Sequence, residues 1–147
     1  MKCLSGYAEW FWLLAKHRVE NDGWKDVENR GWSLASKGIH RSDLPLRIYL
    51  HASKTKTPIE QYNFITHNLT REQYEQFRRV EWDKLRGHVF AEVTIIDEIT
   101  VDSIGIPESH SPWFFGKFGF VVRDGKLLET PIPYKGQLGF FEVKLAQ

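Results

Sequence analysis

The chain has a single cysteine, Cys3, in 147 residues. That excludes an internal disulfide framework and makes a reducing compartment the default expectation. No apolar run approaches the roughly 20 residues of a membrane-spanning helix. Lys2 is not followed by a signal-type apolar stretch with a small-residue cleavage site. The expectation is a soluble, cytoplasmic protein with no membrane partner. Excess charge is missing too. The formal net charge is +1, so a wholly electrostatic nucleic-acid binder is disfavoured and any basic patch has to be local. The six histidines (His17, His40, His51, His67, His88 and His110) form no HExxH or other ligand pair at helical spacing. One cysteine cannot build a zinc knuckle, and no metal or other cofactor is expected. "GKFGF" and "GQLGF" fall short of GxGxxG and read as turn glycines; there is no GxSxG elbow. Repeats, low-complexity tracts and linkers are also missing.

What is present suits one domain, residues 1–147. Hydrophobic residues make up 41% of the chain, enough for a core at this length, and 10 Phe, 6 Trp and 5 Tyr should dominate its packing. "CLSGY" reads as a short strand and "YAEWFWLLAKHR" as a helix. Tyr7, Trp10, Phe11 and Leu14 form its apolar stripe, with Trp12 off it. Asn21, Asp22 and Gly23 break the helix, and "SLASKGIHRSDLP" reads as a loop. "PLRIYLHASK" is the clearest strand, with Leu46, Ile48, Leu50 and Ala52 on one face and Arg47, Tyr49, His51 and Ser53 on the other. Thr57-Pro58-Ile59-Glu60 and Thr70-Arg71-Glu72-Gln73 carry capping-box spacing. The second helix is expected to run to Arg86 and stop at Gly87. "HVFAEVTIID" is a strand with Val89, Ala91, Val93 and Ile95 on one face and Phe90, Glu92, Thr94 and Ile96 on the other. "SPWFFGKFGFVV" leads into a strand, Arg123–Lys126 ("RDGK") reads as a hairpin turn, and "YKGQLGFFEV" supplies the last strand. Strands, then central helices, then strands argue for an α+β fold whose short strands can close into a small barrel.

"GWKDVENRGW", Gly23 to Trp32, fits none of the usual patterns. If extended, Trp24, Asp26, Glu28, Arg30 and Trp32 share one face, and Lys25, Val27 and Asn29 the other. Neither is a clean core face. Lys25, Glu28 and Arg30 suit binding of a phosphate or a nucleobase edge; they equally suit an exposed strand laced with ion pairs. Tyr49, His51 and Ser53, ending in Lys54, are a polar strand face or simply its solvated side. Glu92 faces either water or a cleft, where it would want a cationic partner. Trp113, Phe114, Phe115 and Phe118 either stack on bases or belong to the core.

"WKDVENRGW" followed by "LPLRIYLHASK" resembles the signature of the ASCH domain, in the PUA-like superfamily. The pattern is K-x-x-E-x-R-x-W and then an apolar strand ending in His-Ala-x-Lys. "GHVFAEVTIIDEI", "SPWFFGKFGFVV" and "IPYKGQLGFFEV" are similar to the later strands of that family, so the resemblance spans about residues 2 to 145. It implies a small PUA-like β-barrel with flanking helices and a cleft that holds single-stranded RNA or a nucleotide-like ligand. Trp24, Lys25, Glu28, Arg30 and Trp32 would line that cleft. His51, Ser53 and Lys54 would close its basic side, and Trp113 would stack.

Activities in the same cleft follow as alternatives. Some small members of the family resemble amidohydrolases of acetylated cytidine that use a Lys, a Thr and a Glu. Here Lys25 matches, Glu92 is a candidate for the Glu, but Glu28 stands where the Thr would be, and a carboxylate does not replace a hydroxyl nucleophile. A carboxylate beside Lys25 is expected to hold it protonated. In a metal-independent ribonuclease, Lys54 or Lys25 would stabilise the charged phosphorane, and Tyr49 or His51 would move a proton. A protein-interaction module using exposed aromatics is the third class.

Overall fold

A computed structural model of the chain describes residues 1–103 and 105–145. Its strands are β1 (Lys2–Gly6), β2 (Val27–Arg30), β3 (Leu46–Ala52), β4 (His88–Ile99), β5 (Phe118–Pro133) and β6 (Phe140–Glu142). Its helices are α1 (Ala8–Lys16), α2 (Ile59–Asn68), α3 (Arg71–Phe77) and α4 (Trp82–Leu85). The strands form one curled sheet in the order β2-β5-β4-β3-β1-β6. Among the described strands only β1 and β3 pair in parallel; the crossover this demands runs through α1. The expected α+β, barrel-like architecture is present.

The core explains the curl. Ala8, Phe11, Trp12, Leu13, Leu14 and Ala15 of α1 are all buried, which is the pattern of a helix surrounded by protein rather than laid on a surface. They meet Ile48 and Leu50 of β3, Ala91, Val93 and Ile95 of β4, and Phe120 and Val122 of β5. Trp12, off the expected stripe, packs edge-on against Trp24, Phe77 and Trp82 at 5.7, 6.0 and 5.9 Å between ring centroids. The two ends of the sheet also meet. Trp32, after β2, lies 5.6 Å from Phe120 of β5 and 5.8 Å from Phe140 of β6. Arg30 of β2 donates from Nη2 to the Ser5 carbonyl of β1 at 2.9 Å.

Four local expectations are corrected. Arg123–Lys126 is not a hairpin turn but part of the continuous strand β5, which pairs along the whole of β4. Asp124, at φ 54°, and Gly125 form a bulge there. Its purpose is to receive the end of α1: the Gly125 N–H bonds the His17 carbonyl at 2.7 Å, and a Cβ on Gly125 would stand 2.5 Å from the Ala15 carbonyl oxygen. The helix expected from Thr70 to Arg86 breaks after Phe77 and resumes at Trp82. In one straight helix residues five apart diverge by about 140°, yet Phe77 and Trp82 pack 4.8 Å apart and both reach Trp12. A bulge opposite His51 also shifts the register of β4, so Phe90 joins the main core with Ala91 while Val89 turns to a smaller cluster with Cys3, Phe141 and Val143. Finally, Thr57 does not cap α2. Pro58 holds the N-cap position and the Thr57 hydroxyl has no partner among the described residues. The Thr70 capping box with Gln73 forms as expected.

Candidate functional site

Val27 and Asn29 of β2 turn away from the α1 side. Val27 is buried with Ile99 and Val121. Asn29 is spent on the loop between β4 and β5: its Nδ2 donates to the Trp113 carbonyl at 2.8 Å, and its Oδ1 accepts from the N–H groups of Phe115 and Gly116 at 3.0 and 2.9 Å. That loop has to lie close, since a Cβ on Gly116 would fall 2.7 Å from Asn29 Cβ. Glu28 and Arg30 point the other way, into a cavity of about 960 Å³.

Lys25 precedes β2 and curls back toward Glu28, so it does not share a face with Val27 and Asn29. Its Nζ donates to Glu28 Oε1 at 3.2 Å and to the Val27 carbonyl, and lies 5.3 Å from the centre of the Trp10 ring. Arg30 takes the other Glu28 oxygen from Nε at 2.9 Å and Nη2 at 2.8 Å. Its guanidinium stacks between Phe11 and Trp32, and Nη1 has no hydrogen-bond partner among the described residues. One carboxylate thus holds two cations. Lys25 is only 1% exposed. Burial pulls its pKa below the ordinary lysine value, with Glu28 opposing. The expectation that Glu28 simply holds the lysine protonated is therefore corrected: desolvation is the larger influence.

Aromatic rings from three elements share the cavity wall with these charges. Trp10 of α1, Phe64 of α2 and Phe115 of the β4–β5 loop form a triangle with centroid separations of 6.1, 5.8 and 5.3 Å. Phe64 and Phe115 are 41% and 55% exposed, unusual for phenylalanine, and the wholly exposed Leu138 also lines the cavity. Polar groups are interleaved: Ser5, Ser53, Thr55, Glu60 and Gln61, the last accepting from the Trp10 indole N–H at 2.9 Å.

Of the residues expected here from sequence, Lys25, Glu28, Arg30 and Ser53 line the cavity. His51 does not, and both its ring nitrogens are occupied: Nε2 donates to the Tyr134 carbonyl at 2.7 Å, which leaves Nδ1 to accept from the Ser5 hydroxyl at 3.0 Å. Burial pulls its pKa down. It is a buried support, fixing Ser5 and the loop whose Gln137, Leu138 and Gly139 line the cavity. Gly136 lies against its ring, where a Cβ would come within 2.5 Å. Lys54 is exposed and lies along Gly87, outside the lining. Tyr49 faces the smaller core cluster, and Glu92 is paired with Arg47 at 2.8 Å on the same outer face. Trp24 and Trp113 line a different cavity, while Trp32 seals the sheet ends. Trp113 is buried and backs Trp10 edge-on at 6.4 Å. Four aromatic wall residues are not among those expected from the sequence: Tyr7, Trp10, Phe11 and Phe64. The available signal was Phe64, which with Tyr62 is one of two aromatics in a largely polar helix.

Among the described residues no group of three or more His, Cys, Asp or Glu is placed to hold a metal, and no helix is long and apolar enough to cross a membrane. Burial pushes the Cys3 thiol up to about 12, which makes it unreactive. No protein-family model and no curated protein sequence matches the chain.

Proposed function

We propose that the chain is a cytoplasmic ASCH domain of the PUA-like superfamily, and that its large cavity binds a short stretch of single-stranded RNA or a nucleotide-like ligand. The observation that carries this reading is the pairing of one carboxylate with Lys25 and Arg30 in a cavity that an aromatic triangle also walls. A base stacked on Trp10, Phe64 or Phe115 would share the cavity with Arg30, whose Nη1 is unpartnered among the described residues. Such stacking contributes about 1–3 kcal/mol per base and tolerates any base identity. Lys25 and Arg30 are balanced by Glu28 and Glu60 in the lining, so bases rather than phosphates are the main attraction. The ribonuclease and amidohydrolase alternatives have less in their favour. Tyr49, His51 and Glu92 are engaged outside the cavity, and Glu28 still stands in place of a hydroxyl.

Fluorescence anisotropy with a labelled single-stranded RNA, in EDTA, tests the reading. Phe115→Ala should weaken binding about 5- to 100-fold, the equivalent of one stacked base. Lys54→Ala should have little effect, and the salt dependence should be shallow because few cations meet phosphate. If Lys54→Ala weakens binding more than Phe115→Ala, the ligand tracks the outer surface and the cavity is not its site.

A further inference from the structure

The chain passes from β5 to β6 through residues 134–139, and both ends of that loop are held firmly. The Tyr134 N–H bonds the Gly87 carbonyl at 3.1 Å, its carbonyl accepts from His51 Nε2 at 2.7 Å, and its ring stacks 6.3 Å from Phe141. Gly136 sits against the His51 ring. At the far end Phe140 pairs opposite Leu4 of β1 and packs on Trp32 and Phe120. Between these anchors little holds the chain. Lys135, Gly136, Gln137 and Leu138 make no hydrogen bond among the described residues. Gly139, at φ 68°, has the backbone freedom of a hinge. Leu138, between the two glycines, is 100% exposed.

A lone exposed leucine needs no explanation. This one lines the large cavity, together with the exposed rings of Phe64 and Phe115. Three separate segments therefore bring exposed apolar side chains to one cavity. Contact between that surface and water is unfavourable, and a segment with so few bonds of its own can move at little cost to remove it. We propose that residues 137–139 form a strap that closes over the bound ligand and buries Leu138 against it, an inference that rests on the reading that this cavity is the binding site. The ends of the strap stay in place, because His51 holds Tyr134 and β1 holds Phe140. Closure adds no charge and no base-specific contact. It slows the ligand's escape whatever the base, as lids do in other binding sites.

The test uses thiol chemistry and dissociation rates on the intact protein. Cys3 is wholly buried and its thiol is pushed up to about 12, so Leu138→Cys supplies a single reactive thiol. Iodoacetamide should modify it in the free protein as fast as it modifies glutathione. A saturating short single-stranded RNA should slow the reaction about tenfold or more, the protection given by a strap closed nine-tenths of the time. Lys54→Cys, exposed outside the lining, should keep its rate. Leu138→Ala should melt like the original, since the side chain is fully exposed without ligand. Its RNA should dissociate about ten- to a hundredfold faster, the equivalent of one leucine no longer buried. RNA that shifts the Trp10 indole signal while Leu138→Cys keeps its free rate would overturn closure and leave the cavity reading standing. Protection of Leu138→Cys with unchanged dissociation from Leu138→Ala would also overturn it, because the RNA would merely pass over the loop. RNA that moves no cavity signal would refute the cavity reading, and closure with it.

Discussion

Glu28→Gln should destabilise the protein by about 3–5 kcal/mol, the usual effect of removing one partner from a buried charge pair. The size follows from what is left behind. Lys25 is 1% exposed and cannot turn to water without breaking the packing around α1, and Arg30, 19% exposed at the cavity wall, would lose its carboxylate partner. Lys25→Met should cost less, because Arg30 still neutralises Glu28. The pH dependence has a definite sign. The folded-state pKa of Lys25 lies below its unfolded value of 10.5, so the unfolded chain binds more protons in the interval between them. This group's contribution therefore makes stability rise with pH through that window, and the full penalty is present below it. Removing Glu28 takes away the influence that opposes burial, so the folded pKa falls further and the window opens at lower pH. Guanidinium melts of Glu28→Gln should accordingly recover part of the loss as pH rises toward the unfolded-state value of 10.5. A variant that melts like the original protein at neutral pH would mean the carboxylate is not buried between two cations.

The second large effect is in the sheet. Leu50→Ala should cost about 2–5 kcal/mol, for lost transfer energy and the cavity left behind. Leu50 is wholly buried among the α1 and β4 side chains, where close-packed neighbours cannot collapse onto a methyl group. Arg47, three residues earlier on the opposite face, is half-buried and bonded to Glu92, Thr94 and the Asp124 carbonyl. Its removal should cost about 1 kcal/mol, toward the upper end for a partly exposed ion pair. Equal losses in denaturant melts would mean that the inner and outer faces of β3 are reversed.

These two positions mark what was legible in the sequence. Alternation along Leu46–Ala52 is a local signal, and β3 obeys it because one face meets α1 and the other does not. The Thr70–Gln73 box is local in the same way: both its hydrogen bonds close within four residues. Asp124-Gly125 misled because an Asp-Gly pair serves a hairpin or a bulge equally well. What decides is the end of α1, more than a hundred residues earlier in the chain, pressing on Gly125. The helix pattern past Phe77 misled for a related reason. Propensity favours continuing, but Trp12 draws Phe77 and Trp82 to one spot that a continuous helix cannot reach.

The site divides along the same line. Lys25, Glu28 and Arg30 were conspicuous because three charges sit in a segment with no core face. Their mutual pairing needs only a short bend in the chain, so proximity in sequence brought them together. His51 and Lys54 lie on a different strand and its following turn, and their sequence position carries no information about direction. The β4 bulge and the loop at Gly136 bury the first, and the second follows Gly87 outward. Trp10 looked like core because its spacing with Phe11 and Leu14 is helical. That periodicity marks a face covered by something, and here part of the cover is an open cavity.

The most direct test of the central claim, that this cavity holds the ligand, is a ¹⁵N-tryptophan spectrum titrated with a short single-stranded RNA. Trp10 donates its indole N–H to Gln61 at the cavity wall, whereas Trp12 is sealed between Trp24, Phe77 and Trp82. The predicted result is a saturable shift of the Trp10 signal with Trp12 unmoved, lost in Phe115→Ala. A saturable response at other tryptophans with Trp10 unchanged would contradict the account.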